Sequence, residues 1–237
     1  MTAATQPQPL HPPPRGQRWR KTLPRFGLWP YAPRCPKAPP DPTLTIQGAD
    51  GREHGLRAQD LEPWREDRQA SIHCVTTWSV PDLPWSGFPM RKIWAALHSG
   101  DGSSTAGATG WVMLRGQDGY RTMLPLEDFL ADGVMLADRL AGQPLGLSHG
   151  APWRLVAPAH YGYKQVKHLV RITWCAAPPA RWGAGWRFMD HPRARVAYEE
   201  RGVGAPAWLL RRLYRPLIGP TAWYFARQAQ RVETGPQ

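Results

Sequence analysis

The chain has 237 residues, of which 42% are hydrophobic and 11% aromatic, so it can bury a full core and does not have the composition of a disordered protein. Its formal net charge of +12 is compatible with a basic solvated surface, with nucleic acid, with a membrane surface or with an anionic ligand. The arginines are scattered and no docking motif is present, so we expect no nucleic-acid binding. No apolar run reaches the length of a bilayer span.

The first part of the chain is rich in proline. Residues 1–25 are predicted to form a disordered tail, and the arm that starts at Phe26 is predicted to lie extended on the domain surface. Over the whole chain, 27 prolines and 23 glycines disfavour long helices and favour short strands joined by turns. Because we find no secretory signal and the three cysteines are widely spaced, we expect a cytoplasmic protein.

Short strands and short helices follow the arm. Alternating apolar residues predict a strand at 43–48, and a β-rich run predicts another at 71–78, which is broken by the loop "SVPDLPWSGFP". The segment "MRKIWAAL" places apolar residues at i, i+3, i+4 and i+7, so we predict a one-faced helix there. Further strands are predicted at 111–116, 153–158 and 168–174.

This mixture contains no repeating βαβ unit. We therefore predict an α+β fold, with mixed β-sheets and short helices, for a domain spanning residues 26–175. Residues 176–237 are predicted to be a C-terminal extension that wraps or packs on the domain, with helical stretches broken at Pro216 and Pro220. The basic and aromatic residues of this extension leave open a peripheral contact with a membrane.

Cys74 lies between a predicted strand and the loop rich in Pro, Gly and Trp. A small buried side chain is the commonest role of a free cysteine, but a rigid loop directly after a strand is also how a scaffold holds a functional group. Cys35 and Cys175 lack the spacing of a zinc site, and His73 points to the opposite face of the strand. A soft metal that receives its other ligands from a cofactor needs one thiolate, which would explain a solitary cysteine.

The segment "SHGAPWRLVAPAHYGYKQVKHL" concentrates histidine, arginine and lysine. Glycines permit close backbone approach, and cations such as Arg154, Lys164 and Lys167 can donate charge-assisted hydrogen bonds to a phosphate. Solvated surface cations are the alternative interpretation. The order of residues favours an anionic ligand held at one place.

Three blocks together, "HCVTTWS…WSGFP", "DGYRTMLPLED" and "HGAPWRLVAPAHYGYKQVKHL", resemble the molybdopterin-binding domain of the sulfite oxidase-type oxidoreductases. The likeness covers roughly residues 43–175 and is strongest to the bacterial, haem-free branch that includes the methionine sulfoxide reductase. It implies the sulfite oxidase-type fold and an enzyme that performs two-electron oxo transfer on a sulfur oxyanion, a sulfoxide or a related small substrate.

The resemblance also implies roles for individual residues. Cys74 stands where the family's thiolate ligates molybdenum, and one pterin dithiolene of Mo-molybdopterin supplies two further sulfurs. Tyr120 is similar to the tyrosine that faces the substrate. Arg34 stands near the place of an N-terminal arginine, although the usual Arg-Asn-His neighbourhood is absent. The positions that match those holding the pterin and its phosphate are His149, Arg154, Gln165, Val166 and Lys167.

Two departures from the family matter for the expected function. No haem-attachment motif is present, so electrons are expected to pass to or from a separate electron-transfer protein. Too few residues follow the domain for the immunoglobulin-like dimerisation domain of sulfite oxidases. The substrate-facing loops are predicted at 80–84 and 98–110. The alternative function is a non-catalytic basic binding or scaffold protein that retains the molybdopterin-binding fold.

Overall fold

Two β-sheets share one apolar core. The protein is represented by a computed structural model that describes residues 11–98, 109–178 and 189–234. The strands, in chain order, are β1 (Arg18–Trp19), β2 (Thr43–Gln47), β3 (Glu53–Arg57), β4 (Glu66–His73), β5 (Trp78–Pro89), β6 (Trp111–Gly116), β7 (Arg121–Pro125), β8 (Met135–Leu140), β9 (Gln143–Pro144), β10 (Arg154–Val156) and β11 (Leu169–Cys175). The α-helices are α1 (Ala58–Leu61), α2 (Met90–His98), α3 (Leu126–Phe129), α4 (Ala207–Tyr214) and α5 (Ile218–Thr234).

The long strand β5 holds the first sheet together. Its residues 79–87 form an antiparallel hairpin with β4, its C-terminal residues 85–89 pair with β8, and its first two residues pair with β1 in parallel. β8 extends the sheet to β10 and β9. Gly87 lets β5 and β8 approach closely, because a Cβ at this position would overlap the carbonyl oxygen of Leu136.

The loop predicted at 79–89 is wrong, because this segment belongs to β5. Pro81 and Asp82 lie in a bulge opposite Ser71, where the register between β4 and β5 shifts. The Asp82 amide donates a hydrogen bond to Ser71 Oγ at 3.1 Å instead of to the ladder. A bulge leaves backbone groups unpaired, so it can accept the proline that suggested a loop. The predicted substrate-facing loop at 80–84 is wrong for the same reason.

The second sheet has the strand order β3-β2-β11-β6-β7, in which β2 and β11 are parallel and the other pairs antiparallel. Its inner face packs against the first sheet and α2 in the main core. Among the core residues, Ile46 and Ile172 come from the second sheet, Phe88 and Leu136 from the first, and Ile93 from α2. Mixed sheets with only short helices inside the domain confirm the predicted α+β class.

The predicted one-faced helix is confirmed as α2. Met90, Ile93 and Trp94 are buried, and Leu97 packs partly exposed against the same core. The short helix α3 begins directly after Pro125, which occupies the N-cap position. The period of the apolar residues was a sufficient signal for α2.

The N-terminal arm is ordered earlier than predicted. Arg18 pairs with Trp78, and Trp19 pairs with Ser79, within the segment that was predicted to be disordered up to residue 25. The prediction is wrong for this part, since pairing to a distant strand cannot be read from local proline content. Residues 1–10, most of the predicted loop at 98–110 and the segment 179–188 lie outside the described residues.

The C-terminal extension ends in α4 and α5, joined by a 3-10 turn at Arg215–Leu217. Pro216 lies in this turn, as the predicted break requires. Pro220 lies in the first turn of α5, where a helix needs no N–H donor, so the predicted break at Pro220 is wrong. Among the described helices, none has both the length and the apolar content needed to cross a membrane.

Candidate functional site

A cavity of about 510 Å³ lies between the turn after β4, the N-terminal arm, the segment around residues 162–168 and the helices α4 and α5. Its walls are largely aromatic and aliphatic. Six of the eight predicted site residues line it, namely Arg34, Cys74, Tyr120, Arg154, Gln165 and Lys167. The fold thus brings to one place residues that are spread over more than half of the chain.

Cys74 is held by the tight turn that connects β4 to β5. The Cys74 amide donates to the Trp78 carbonyl at 2.8 Å, and the Thr77 amide donates to the Cys74 carbonyl at 3.2 Å. Thr77 closes the turn with φ 77°, a conformation that three-residue hairpin loops require at this position. His73, the last residue of β4, bonds to Ser79 Oγ at 2.8 Å and does not line the cavity, in line with the predicted opposite face.

The thiol of Cys74 lies at the cavity wall beside Thr76, with 3.1 Å between Sγ and Oγ1. Burial raises the pKa of the Cys74 thiol, while the Thr76 hydrogen bond and the charges of Arg201 and Lys167 act in the opposite direction. No three His, Cys, Asp or Glu side chains cluster as metal ligands within the described ranges. A metal at Cys74 must therefore bring most of its ligands with it.

Arg201 supports the Cys74 turn from the C-terminal extension, and the sequence analysis missed it. Its guanidinium is fully buried, donates to the Val75 carbonyl at 2.6 Å and to the Gly16 carbonyl at 3.1 Å, and lies over the Tyr161 ring. On the other side, Gln17 Nε2 donates to the Cys74 carbonyl at 3.1 Å. No local motif marks Arg201, since its partners are distant in sequence.

We expect Arg201→Met to destabilise the protein by about 3 kcal/mol, because two buried carbonyls lose a charged donor and Glu199 loses a buried neighbour. The matched control is Arg195→Met, which removes a more exposed arginine of the same extension and its ion pair with Glu200. It should cost about 1 kcal/mol or less. Denaturant unfolding of both variants measures the difference, and equal losses would contradict a special role of Arg201.

Arg154, which is buried, and Lys167, which is half-buried, place two cations at the cavity wall. One Nη of Arg154 donates to the His149 carbonyl at 3.2 Å, and its guanidinium lies over the Trp85 ring. Lys167 Nζ donates to two backbone carbonyls, at 3.3 and 3.2 Å. Neither cation forms an ion pair with a carboxylate among the described side chains.

This uncompensated charge shifts the pKa values of both groups. Burial lowers the pKa of Arg154 to about 10. The pKa of Lys167 falls to about 7, mainly through burial and further through repulsion by Arg154 and Arg25, although Asp118 acts in the opposite direction. Buried cations without carboxylate partners form a receptor for an anion.

Several residues that line the cavity have polar atoms without a partner in the described part of the chain. Arg154 Nε, Gln165 Oε1 and Trp78 Nε1 are buried and form no hydrogen bond with any described residue. The Gln165 amide nitrogen donates to the carbonyls of Ala157 and His160, which fixes the orientation of the orphaned oxygen. Such atoms are costly unless a ligand satisfies them. Donors, an acceptor and cations together fit a phosphorylated heterocycle with N–H groups, and Cys74 fits its soft metal.

Tyr120 and Arg34 line the cavity near its N-terminal arm. The Tyr120 hydroxyl donates to the Tyr163 carbonyl at 2.6 Å, and burial raises its pKa well above the ordinary value, so the phenol stays neutral. Arg34 donates to the Asp118 carbonyl at 3.0 Å and is solvent-exposed. Tyr31 contacts both side chains.

The remaining predicted residues, His149 and Val166, do not line the cavity. Val166 is buried in the main core. His149 contributes its carbonyl to Arg154, and burial, Arg154 and Lys167 lower the pKa of its imidazole to about 4. Lys164, from the same cationic segment, is fully buried in an ion pair with Asp190 at 3.0 Å. Its charge is thus paired with a carboxylate of the C-terminal extension.

Comparisons with known proteins agree with the resemblance found in the sequence. The family model described as the oxidoreductase molybdopterin-binding domain matches residues 33–182. An uncharacterized oxidoreductase of Bacillus subtilis, YuiH, is 37% identical over 135 residues, which are 55% of this chain and 64% of that protein. The chain therefore spans less than two thirds of this curated relative.

Among solved structures, the sulfane dehydrogenase SoxCD from Paracoccus pantotrophus is similar with a TM-score of 0.49 and 21% identity. That match covers 65% of this chain and 44% of the other chain.

Proposed function

Because the chain belongs to the family of oxidoreductases with a molybdopterin-binding domain, we propose that it is a molybdenum-molybdopterin enzyme that performs two-electron oxo transfer on a small substrate. A sulfur oxyanion or a sulfoxide is the proposed substrate class. The observation that carries the proposal is the meeting of Cys74 with the unpaired cations Arg154 and Lys167 in one cavity. A thiol and an anion receptor are the two features that this cofactor needs from its protein.

In this proposal each residue has a distinct task. The Cys74 thiolate is the one protein ligand of the metal, and Arg154 and Lys167 hold the phosphate of a single pterin. Gln165 offers its orphaned oxygen to ring N–H groups. When bound, the cofactor supplies the redox chemistry, and the protein supplies position and electrostatics.

Other residues shape the space for the substrate. The aromatic and aliphatic walls exclude water. Arg25 and Arg34 line the cavity on the side of the arm, where they favour an anionic or strongly polar substrate. The neutral phenol of Tyr120 presents its hydroxyl oxygen as an acceptor, since its proton is donated to Tyr163. We propose a separate electron-transfer protein as the redox partner and the cytoplasm as the compartment.

Metal and pterin analysis tests the proposal directly. Protein purified from cells able to make the cofactor should contain close to one molybdenum and one pterin per chain, and its absorption spectrum should change on reduction and reoxidation. A protein that folds but contains neither group, in cells that load a known molybdenum enzyme, would refute the proposal.

The second candidate is a basic scaffold protein without turnover. The exposed aromatic and basic residues of the C-terminal extension favour it, because they form a surface for a partner. The orphaned polar atoms of the cavity have no role in a scaffold. Metal-free protein that binds a partner with an affinity that falls as salt is added would support this candidate.

A further inference from the structure

The large hydrophobic side chains that are exposed within the described ranges all lie outside residues 43–175. They belong to the N-terminal arm and the C-terminal extension. Trp208 and Trp223 expose 61% and 60% of their surface. We call the exposed apolar and basic side chains of α4, α5 and the turn between them the aromatic–basic surface; it consists of Trp208, Arg212, Leu213, Arg215, Leu217, Trp223, Arg227 and Arg231.

The charge of this surface has one sign. From residue 207 to residue 231 the sequence contains five arginines and neither aspartate nor glutamate. Arg211 pairs with Glu199. The other four arginines form no ion pair with a carboxylate among the described side chains. The arginines of the aromatic–basic surface are thus free to meet negative charge from outside the chain.

The helices present this surface on the face opposite to their packing contacts. In α4, Trp208 and Arg212 are exposed one turn apart, while Leu210 and Tyr214 are buried. In α5, Trp223 and Arg227 are exposed one turn apart, and the guanidinium of Arg227 lies over the Trp223 ring. Thr221 and Phe225 face the cavity on the other side of the helix. Each helix therefore packs against the protein on one side and exposes aromatic and basic side chains on the other.

We propose that the aromatic–basic surface docks on an anionic lipid bilayer and brings the cavity to the membrane surface. Tryptophan is enriched in proteins at the level of the lipid headgroups, and arginine is attracted to anionic headgroups. Leu217 belongs to this surface and also lines the cavity, so docking places the cavity wall next to the lipid. The contact is peripheral and does not depend on molybdenum chemistry.

Other occupants fit less well. A second copy of the chain would bring the same arginines face to face, which is repulsive. A protein interface has an apolar centre inside a polar rim, whereas here tryptophans and arginines alternate along the helices. Alternation of this kind suits a membrane surface, where every aromatic group meets apolar material and every cation meets a headgroup.

Vesicle sedimentation of the full chain tests the proposal. We expect binding to phosphatidylglycerol vesicles that weakens steeply with added salt, and no measurable binding to phosphatidylcholine vesicles. Arg212→Gln combined with Arg215→Gln should weaken binding about 30-fold, since each arginine near the surface contributes about fivefold. Trp208→Ala combined with Trp223→Ala should weaken it about tenfold or more.

The matched control is Arg115→Gln combined with Arg121→Gln, which makes the same charge change. Both residues are exposed on β6 and β7, away from the cavity. This variant should bind like the parent within about threefold. Equal weakening in the control would overturn the proposal in favour of net charge alone. The proposal would also be overturned if the full chain did not bind phosphatidylglycerol vesicles. It would be overturned as well if the parent protein formed dimers and only the variants of the aromatic–basic surface were monomeric. Molybdenum content measured on the same samples reports separately on the proposed function.

Discussion

Cys74→Ser is expected to leave the fold intact and to reduce metal-dependent activity by more than about 100-fold. Residues that merely support a metal ligand typically contribute 10- to 100-fold to affinity or activity, so loss of the one protein ligand should exceed that range. A hydroxyl is a hard, poorly ionised replacement for a soft thiolate. It can still bond to Thr76, so stability should change by about 1 kcal/mol or less.

Three measurements on the purified variant check this expectation: molybdenum content, the visible absorption that a thiolate ligand gives the metal, and denaturant unfolding. Cys175→Ser is the matched control, because Cys175 ends β11 and does not line the cavity. The control should keep metal, spectrum and activity. A Cys74→Ser protein with full activity and an unchanged spectrum would show that Cys74 is only a packed side chain.

Arg154→Met and Lys167→Met are expected to weaken cofactor retention while changing the stability of the cofactor-free protein little. Each variant should change the free energy of unfolding of the cofactor-free protein by about 1 kcal/mol or less, because removal of an unpaired cation offsets the loss of its hydrogen bonds to backbone carbonyls. Each should weaken cofactor retention by about 10- to 100-fold, since a charged donor to phosphate is lost. A residue that served packing alone would destabilise the cofactor-free protein as well.

The pH dependence of the cofactor-free protein gives a second readout for Lys167. The pKa of Lys167 is about 7 in the folded state and higher in the unfolded state. Between these values the unfolded chain binds more protons, so stability should rise as the pH increases above about 7. Binding of a phosphate takes up a proton at Lys167, so cofactor affinity should fall over the same range.

Lys167→Met should flatten both pH profiles, whereas Lys37→Met, a change at an exposed lysine that does not line the cavity, should leave them unchanged. Unfolding titrations and phosphate-competed reloading at several pH values provide the measurements. A rise in stability that persists in Lys167→Met would assign the titration to another group.

Much of the site could be predicted because its residues sit in short, recognisable segments. Cys74, Arg154, Gln165 and Lys167 do meet at one cavity. His149 and Val166 share those segments, but His149 contributes its carbonyl to Arg154 and Val166 packs in the main core. Similarity of a segment therefore predicts which stretch of the chain lies at the cavity more reliably than it predicts which side chain lines the cavity.

The features that were missed depend on distant contacts. The prolines of β5 suggested a loop, but Pro81 lies in the bulge opposite Ser71 and Pro84 lies in register opposite Gln69, so the strand continues through both. Arg201 carries no motif, because its significance comes from Val75 and Gly16, which are far away in the sequence. Local sequence propensities predict neither a bulge between two strands nor a contact between distant residues.

The support of the Cys74 turn has a consequence for the order of events during synthesis. Gly16 and Arg201 meet beside this turn across a separation of 185 positions. Gly16 adopts φ 71° there, a left-handed conformation that favours glycine. A growing chain therefore carries its cysteine long before the arginine that braces it has left the ribosome. In the proposed function, capture of a metal group at Cys74 therefore follows the synthesis of Arg201, after both extensions have closed around the turn.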